Sequence, residues 1–416
     1  MARIAHIIGA GVSGLSAGVR LAEAGLTVHV HEATQHLGGR CRSYFDGATG
    51  LVIDNGNHLV LSGNRHVLAY ARRIGSEWGL RGPDKAEFPF VDLADDSRWL
   101  LRINDGRIPW WIFDSTRRVP GTTARDYLKL AALLRAGPDR TIGDTIPCDG
   151  VLYRRLVEPL LLAALNIAPP QGSAALAGAI VRETLAVGGA ACRPLIARDG
   201  LSSVLIEPAA AFIRARGGSV TIGRELRRLR MEEGRVAALT IGDEEIALQP
   251  GDVVVMAVPA RSVAMLLPDI SAPTRFCAIV NAHFRYEGLH RAPPITGIVG
   301  GLIDWLFAFE RRLSVTISGA DHLVERPRED LACAIWAEVC KVAGIAADTA
   351  LPPWQIVRER RATFEATPGQ DAMRPGPVTA CKNLFLAGDW TATGLPATIE
   401  GSVRSGDRAA DLALRA

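Results

Sequence analysis

The chain has 416 residues, 48% of them hydrophobic and 22% charged, and a net charge of +3. This length accommodates two domains with a sizeable core, and the small net charge without a basic, aromatic-rich block argues against nucleic-acid binding. The seven cysteines are scattered, with no Cys-x-x-Cys pair and no histidine pair at metal spacing, which excludes a disulfide scaffold or a zinc site and indicates a reducing compartment.

The first predicted elements form a strand–turn–helix unit. A strand at residues 3–8 leads into the run Gly-Ala-Gly-Val-Ser-Gly and a helix, and a second strand at 27–31 ends on Glu32. The three glycines suit a tight turn, close approach of the backbone to a pyrophosphate, and helix–strand packing. The helix N-terminus favours phosphates, and an acid roughly 20 residues on accepts ribose hydroxyls. The dinucleotide ligands predicted here are Gly9, Gly11, Val12, Ser13, Gly14, Glu32 and Ala33.

The next segment is predicted to be mainly helical. Helix-like stretches occur at residues 67–80, 124–136, 152–167 and 173–185. In the stretch 124–136, apolar residues recur at helical spacing and predict one apolar face, formed by Tyr127, Leu128, Ala131 and Leu134.

The middle of the chain returns to strands. A helix at 209–218 precedes a strand at 219–222, which 226–229 are predicted to continue, a hairpin at 235–248 and a buried strand at 252–258. Further strands are expected at 275–284 and 313–318, and residues 295–309 are expected to form paired strands that line an apolar site. An amphipathic helix at 327–343 places Leu331, Ile335, Val339 and Val342 on one side.

The last predicted unit complements the first. A strand at 383–387 ends at Gly388-Asp389, and a helix follows at 398–414. A carboxylate at that strand end can hold the ribityl hydroxyls of a flavin, and the helix start at Thr398 and Ile399 can face the flavin edge that becomes negative on reduction. Because NAD has no ribityl chain, the two chain ends together predict FAD.

These elements predict an α/β fold with two domains. A discontinuous Rossmann-like FAD-binding domain comprises residues 1–62, 196–270 and 380–416. A mixed α+β substrate domain comprises residues 63–195 and 271–379. No apolar run reaches the roughly 18 residues that span a bilayer, and no signal peptide precedes the first strand. We therefore expect a cytoplasmic protein with peripheral contact at the inner face of the membrane.

The chain resembles the flavoprotein superfamily of amine oxidases, phytoene desaturases and protoporphyrinogen oxidases. The likeness rests on the glycine turn with Glu32, on Leu37-Gly38-Gly39-Arg40, on the strand around Val220 and on Gly388-Asp389. It implies that Gly38, Gly39 and Arg40 lie along the pyrophosphate and ribityl chain. It also implies that the backbone of Val220 pairs with adenine and that Ile399 offers an N–H to the flavin ring.

Four stretches are similar to one branch of this superfamily, the hydroxysqualene dehydroxylases of bacterial squalene and hopanoid synthesis. They are residues 54–61, 158–166, 300–307 and 391–401. The likeness implies that hydride from reduced FAD replaces the hydroxyl of hydroxysqualene, a C30 allylic alcohol, to give squalene. Asn57 stands where many relatives have Gln, so a contact near the flavin is expected to differ; Asn57 and His58 are assigned to the cofactor site.

An acid is needed to protonate the departing hydroxyl. Asp54 and His58 follow the strand at 51–53, where the family places backbone near the flavin, and Asp54 is the first choice. Glu400 is the third candidate, although a carboxylate at a helix start is also a good dipole partner. Trp305, Phe307 and Trp390 are candidates for a dry aromatic lining, or for plain core.

Two other functions fit parts of this pattern. A carotenoid-type desaturase would transfer hydride from substrate to flavin, and an isoprenoid-binding protein of the GDP-dissociation-inhibitor type would have the fold without the flavin. Glu32, Gly39 and Asp389 favour a flavoprotein over the second. The sequence contains a motif for only one dinucleotide, which is assigned to FAD. The electron donor that reduces the flavin is therefore expected to be a separate, unidentified partner. The Arg72-Arg73 pair and the apolar faces of residues 67–80 and 124–136 are candidates for membrane contact.

Overall fold

The computed structural model describes residues 3–416. Its strands are β1 (Ile4–Ile8), β2 (Thr27–His31), β3 (Ser43–Asp46), β4 (Leu51–Asp54), β5 (Val60–Leu61), β6 (Leu80–Arg81), β7 (Ala86–Asp92), β8 (Arg98–Ile103), β9 (Pro194–Ala197), β10 (Ser219–Thr221), β11 (Leu226–Glu232), β12 (Arg235–Ile241), β13 (Glu244–Ala247), β14 (Val253–Met256), β15 (Phe276–Arg285), β16 (Ile295–Val299), β17 (Trp305–Ala308), β18 (Arg312–Ile317), β19 (Trp354–Phe364) and β20 (Leu384–Leu386).

The α-helices connect and cover these strands. They are α1 (Val12–Glu23), α2 (Arg65–Arg73), α3 (Ala124–Leu128), α4 (Gly150–Leu152), α5 (Glu158–Leu165), α6 (Ala174–Glu183), α7 (Glu207–Arg214), α8 (Ala260–Leu266), α9 (Arg328–Ala343), α10 (Pro368–Ala372) and α11 (Ile399–Ala413). Within residues 3–416, no helix is long and apolar enough to cross a membrane.

A five-stranded parallel sheet joins distant parts of the chain, in the order β10-β2-β1-β14-β20. Strands in the middle of such a sheet are covered on both faces and are therefore continuously apolar. All four residues of β14 are buried accordingly. This sheet, with α1, α7 and α11 packed on it, confirms the predicted Rossmann-like α/β fold.

The two ends of the chain meet where α1 packs on α11. Ser16 donates a hydrogen bond to Asp407 at 2.9 Å, and Arg20 forms an ion pair with Asp411. Both helices follow parallel strands of the same sheet, so their N-termini lie at the same edge of that sheet. The predicted convergence of the two chain ends is therefore confirmed.

A seven-stranded mixed sheet forms the second large unit, in the order β19-β15-β18-β17-β16-β7-β8. Its pairs are antiparallel except for β16 with β7. The buried side of α9 packs against one face through Leu331, Ile335 and Val339, as predicted. The predicted pairing within residues 295–309 is also confirmed, as β16 and β17. The division into domain segments stays a prediction.

Two predicted helices in the first insertion need correction. Residues 67–80 are not one helix: α2 ends at Arg73, Gly75 follows with φ +75°, and Leu80 begins β6. Residues 124–136 start as α3 and continue as 3₁₀ turns over Lys129–Arg135. Because the 3₁₀ helix has three residues per turn, the predicted face breaks up: Leu133 is buried, whereas Leu128 is 57% exposed.

The strand prediction was wrong or incomplete in three places. Residues 226–229 do not continue β10; they begin β11, which forms a separate antiparallel sheet with the confirmed hairpin β12–β13. Residues 86–103, for which no element was predicted, form the strands β7 and β8 of the large mixed sheet. The long strand β19 was also missed.

Candidate active site

The glycine turn after β1 is shaped to hold phosphates. Gly9 has φ +101°, and a Cβ there would lie 2.6 Å from the carbonyl oxygen of Ala257. A Cβ on Gly14 would overlap the carbonyl oxygen of Gly9, whereas a Cβ on Gly11 would point into open space. The first turn of α1, at Val12 and beyond, has no side-chain cap, so its N–H groups are available to an anion.

A second glycine loop lies along the first. The N–H of Gly38 donates to the carbonyl of Ala10 at 2.9 Å, and Gly11 and Gly38 form an isolated parallel bridge. A Cβ on Gly39 would lie 3.7 Å from the Cα of Gly11. The two loops therefore form one narrow backbone cradle of the kind that a pyrophosphate fills.

Glu32 is fixed beside this cradle at the end of β2. Its carboxylate accepts from the N–H of Ala10 at 2.9 Å and from the N–H and hydroxyl of Thr34 at 2.9 and 2.8 Å. A carboxylate has about four lone-pair sites, so capacity remains for a ribose hydroxyl. The neighbouring strand β10 pairs Val220 with Val30, which places the predicted adenine contact next to Glu32 and Ala33.

Arg40 and Asp389 join the opening and closing segments. Their side chains form an ion pair at 2.6 Å, and Arg40 also donates to the carbonyl of Ala362 on β19. Gly388 donates its N–H to Ser405 at 3.0 Å, and Arg374 donates to the carbonyl of Asp389 at 3.0 Å. Thus Asp389 is held at the same sheet edge as the glycine cradle.

The helix start at the closing segment completes this edge. The hydroxyl of Thr398 accepts from the N–H of Gly401 at 3.0 Å, so Thr398 is the N-cap of α11 and Ile399 is its first residue. The open glycine cradle, the ribose-side carboxylate and the ribityl-side carboxylate fit an extended FAD. The individual contacts of this cofactor with the chain remain a prediction.

A small cavity lies beside these residues. It is lined by three polar residues, Asp54, Asn57 and His58, and by five apolar ones, Ile196, Ala197, Leu201, Phe307 and Phe309. Phe307 is therefore at the cavity, as predicted. Trp305 instead packs edge-on against Phe90, and Trp390 donates its indole N–H to the carbonyl of Val258 at 2.9 Å. Both tryptophans are buried in the core.

Asp54 is a buried carboxyl in the wall of this cavity. It accepts hydrogen bonds from the hydroxyl of Ser43 at 2.6 Å and from the N–H of Leu201 at 2.8 Å. Burial raises the pKa of Asp54, against the opposing effects of these hydrogen bonds and of Arg312, 3.9 Å away. A carboxyl with a raised pKa is suited to hold and donate a proton.

His58 has the opposite electrostatics. Burial, and then the positive charge of Arg40, lower the pKa of His58 to about 4. The imidazole is therefore neutral at pH 7, so imidazolium is scarce as a proton source. Of the two groups in the cavity wall, Asp54 is the better acid candidate.

Asn57 connects the cavity to the mixed sheet. Its amide nitrogen donates to the carbonyl of Val315 at 3.1 Å and to the hydroxyl of Thr316 at 3.2 Å. Its oxygen is buried and has no hydrogen-bond partner among the described residues. The structure thus shows the side-chain amide anchored in the sheet, with one acceptor left for a bound molecule.

Glu400 is engaged in a structural contact. Its carboxylate accepts from the backbone N–H groups of His66 and Val67 at 3.1 and 3.0 Å, in the first turn of α2. It also lies 3.5 Å from Arg404. Both carboxylate oxygens are thus occupied as acceptors at the N-terminus of α2, a structural role that argues against Glu400 as the proton donor.

Glu400→Gln tests this assignment. The amide keeps one acceptor but sets an NH₂ group against a helix N–H, so we expect a Tm lower by roughly 1 °C, in line with the loss of about 1 kcal/mol from a chain of this length. Turnover per bound flavin should stay near that of the unchanged enzyme. Thermal unfolding and steady-state rates measure the two effects, and a collapse of turnover at unchanged Tm would restore Glu400 as the acid.

Sequence reasoning missed three residues that position the site. Ser43 and Arg312 contact Asp54, and the buried Arg374 holds the backbone around Asp389. Arg312 follows Arg311 at the head of the alternating run 313–317, and this position beside a predicted strand was a signal for it. Ser43 and Arg374 carry no such signal, because only the tertiary fold brings them to their partners.

Comparison with known proteins assigns the chain to a flavoprotein family. Residues 12–414 match the family of flavin containing amine oxidoreductases, and the chain belongs to this family. The fold agrees: cyclohexylamine oxidase from Brevibacterium oxydans superposes with a TM-score of 0.73 at 18% identity, covering 100% of this chain and 99% of that one. The protein is an FAD-dependent oxidoreductase.

Within that family the chain belongs to the hydroxysqualene dehydroxylases. It is 62% identical to the hydroxysqualene dehydroxylase of Sinorhizobium fredii and 63% identical to that of Rhodopseudomonas palustris, in each case over 100% of this chain and 99% of the relative. A 15-cis-phytoene desaturase of Synechococcus elongatus is a distant match, 25% identical over 49% of either chain.

Proposed function

We propose that this enzyme reduces hydroxysqualene to squalene. The observation that carries the proposal is the buried carboxyl of Asp54, with its raised pKa, in a cavity lined also by Leu201, Phe307 and Phe309, where FAD is predicted to bind. Replacing an allylic hydroxyl by hydrogen requires this combination of an acid and a dry surrounding. The full-length similarity to hydroxysqualene dehydroxylases supports the choice of substrate.

The chain supplies the proton and the environment for this reaction. Overall, the alcohol, two electrons and two protons give the hydrocarbon and water. One of the two protons arrives together with the two electrons, as hydride. Asp54 donates its proton to the hydroxyl oxygen as the C–O bond breaks, so that water departs. Phe307, Phe309 and Leu201 exclude solvent from the carbon that becomes electron-poor, and aromatic faces stabilise a desolvated cation by up to about 2 kcal/mol. Reduced FAD, when bound, supplies the hydride.

Two partners complete this function. A hydrophobic C30 isoprenoid is the substrate, and a separate electron donor reduces the flavin. Because such a hydrocarbon partitions into lipid, we also propose that the enzyme works in the cytoplasm in peripheral contact with the inner face of the membrane. The apolar side chains that line the cavity beside Asp54, among them Ile196, Leu201 and Phe307, are compatible with a hydrocarbon substrate.

Product analysis tests the proposed reaction. The flavin-loaded enzyme, reduced anaerobically with dithionite, should convert hydroxysqualene to squalene, detected by mass spectrometry. The matched control is the same enzyme with oxidised flavin, which should give no squalene. Formation of a more unsaturated product by the oxidised enzyme, with no squalene from the reduced one, would instead identify a desaturase.

A further inference from the structure

Large apolar side chains are exposed together on one part of the surface. Ile108 is 77% exposed, Trp110 49%, Phe113 67% and Leu128 57%. Single exposed apolar residues are ordinary, but several in one short segment mark an interaction surface. We call these four residues the docking patch.

The fold holds the docking patch outward. Trp110 and Phe113 begin and end one 3₁₀ helix, in which residues three apart share a face, while Trp111 and Ile112 between them are buried. The ring of Trp111 packs edge-on against Tyr127 at 5.1 Å, which places Leu128 in the same region. The exposure therefore belongs to an anchored structure.

The chain segment that carries the docking patch is rich in positive charge. Residues 107–135 contain six cations, Arg107, Arg117, Arg118, Arg125, Lys129 and Arg135, against the two carboxylates of Asp114 and Asp126. Their net charge of +4 exceeds the +3 of the whole chain. The guanidinium of Arg117 lies 4.5 Å from the centroid of the Trp110 ring. Tryptophan and arginine side by side suit the interface of a bilayer that carries anionic lipid.

The interior beneath the docking patch is continuous with the cavity region. Trp111 and Tyr127, directly below the patch, belong to the same buried apolar cluster as Phe307 in the cavity wall. By contrast, the apolar face of α2, in the other segment predicted to contact a membrane (residues 67–80), is directed into the core. Val67 and Tyr70 are fully buried, and Arg72 and Arg73 pair with Glu77 and Glu23.

We propose that the docking patch and its cations attach the enzyme to the surface of a bilayer containing anionic phospholipid. The apolar side chains enter the interfacial layer and the arginines bind the phosphates of the headgroups. This inference rests on the proposed function, which requires a lipid-soluble substrate, and it assigns the part of the protein that faces the source of that substrate.

Vesicle binding tests the assignment. The full-length, flavin-loaded enzyme is sedimented with vesicles of phosphatidylcholine and phosphatidylglycerol in equal parts, and with phosphatidylcholine alone. The double variant Trp110→Ser with Phe113→Ser should bind the anionic vesicles roughly tenfold more weakly or worse, through loss of two interfacial side chains. The matched control, Met265→Ser with Leu289→Ser, removes residues 68% and 97% exposed elsewhere and should bind unchanged.

The charge component gives a second readout. Binding of the unchanged enzyme should be weaker on phosphatidylcholine alone and should fall as salt is raised, because screening reduces the attraction of arginines to phosphates. Equal binding by the patch variant and the unchanged enzyme, or no binding by either, would overturn the proposal. So would sedimentation velocity showing a dimer that the patch variant converts to monomer, since the patch would then bind a second copy.

Docking and catalysis are separable in the same variants. With substrate dispersed in detergent, the patch variant should keep the turnover and flavin absorbance of the unchanged enzyme. If neither the unchanged enzyme nor any variant makes squalene, the proposed reaction is refuted, while the vesicle result still tests the docking patch. If all of these proteins make squalene but the patch variant binds vesicles as well as the unchanged enzyme does, only the docking proposal is refuted.

Discussion

Asp54→Asn is expected to lower turnover of hydroxysqualene by roughly 10²–10⁴-fold, the usual contribution of a positioned proton donor. The amide keeps an acceptor for the hydroxyl of Ser43 and the N–H of Leu201, so the local structure should persist. Flavin absorbance and Tm should therefore stay close to those of the unchanged enzyme. Single-turnover kinetics with prereduced enzyme isolates the chemical step.

The dependence on pH gives an independent check. Asp54 acts in its protonated form, so activity should be full below its raised pKa and should fall as pH increases through that value. The Asn variant should lack this alkaline limb. His58, with a pKa near 4, should add no transition around neutral pH. Retention of full turnover in the Asn variant, with the limb unchanged, would remove Asp54 from the mechanism.

Loss of bound FAD is the second large effect that we expect. Asp389→Ala and Glu32→Ala should each weaken FAD binding by roughly 10- to 150-fold, because a hydrogen bond to a charged group contributes about 1.5–3 kcal/mol. In Asp389→Ala, Arg40 also loses its ion-pair partner between the two chain ends. The ratio of flavin to protein absorbance after gel filtration, and titration of the apoprotein with FAD, measure the loss.

Asp411→Ala is the matched control for these variants. It removes a carboxylate that joins α11 to α1 through Arg20, as Asp389 joins the two ends through Arg40, but it lies in the last turns of α11. Flavin content should be unchanged. Full flavin content in both Asp389→Ala and Glu32→Ala would contradict the assignment of the cofactor site.

The nucleotide-binding half of the fold was predictable because its signals are local. The parallel strands β1 and β14 are short, mainly apolar runs, β2 alternates valine with polar residues, and the glycines and Glu32 stand at fixed offsets from them. The strands of the mixed sheet were harder to recognise. In β19 the run Arg358-Glu359-Arg360-Arg361 interrupts the apolar alternation, since its side chains make ion pairs and backbone contacts across elements.

The choice among the acid candidates also depends on contacts between distant parts of the chain, which the sequence does not show. Sequence placed Asp54, His58 and Glu400 near the flavin, but only tertiary contacts distinguish their environments. Glu400 is engaged by α2, a helix more than 300 residues away along the chain. Asp54 accepts from the N–H of Leu201 and lines the same cavity as Phe307, and both residues come from distant parts of the chain. No periodicity or motif encodes these pairings.

The position of β20 at the sheet edge has a consequence during synthesis. A nascent chain that has just completed β14 already has four of the five parallel strands, yet it lacks Asp389 and the N-terminus of α11. Such a chain has the glycine cradle and Glu32, on the predicted adenosine side, but not the segment predicted to face the isoalloxazine. We therefore expect flavin to be retained only once β20 and α11 have been made and have packed on the sheet, so that loading with the coenzyme distinguishes chains that have completed this sheet from chains truncated before it.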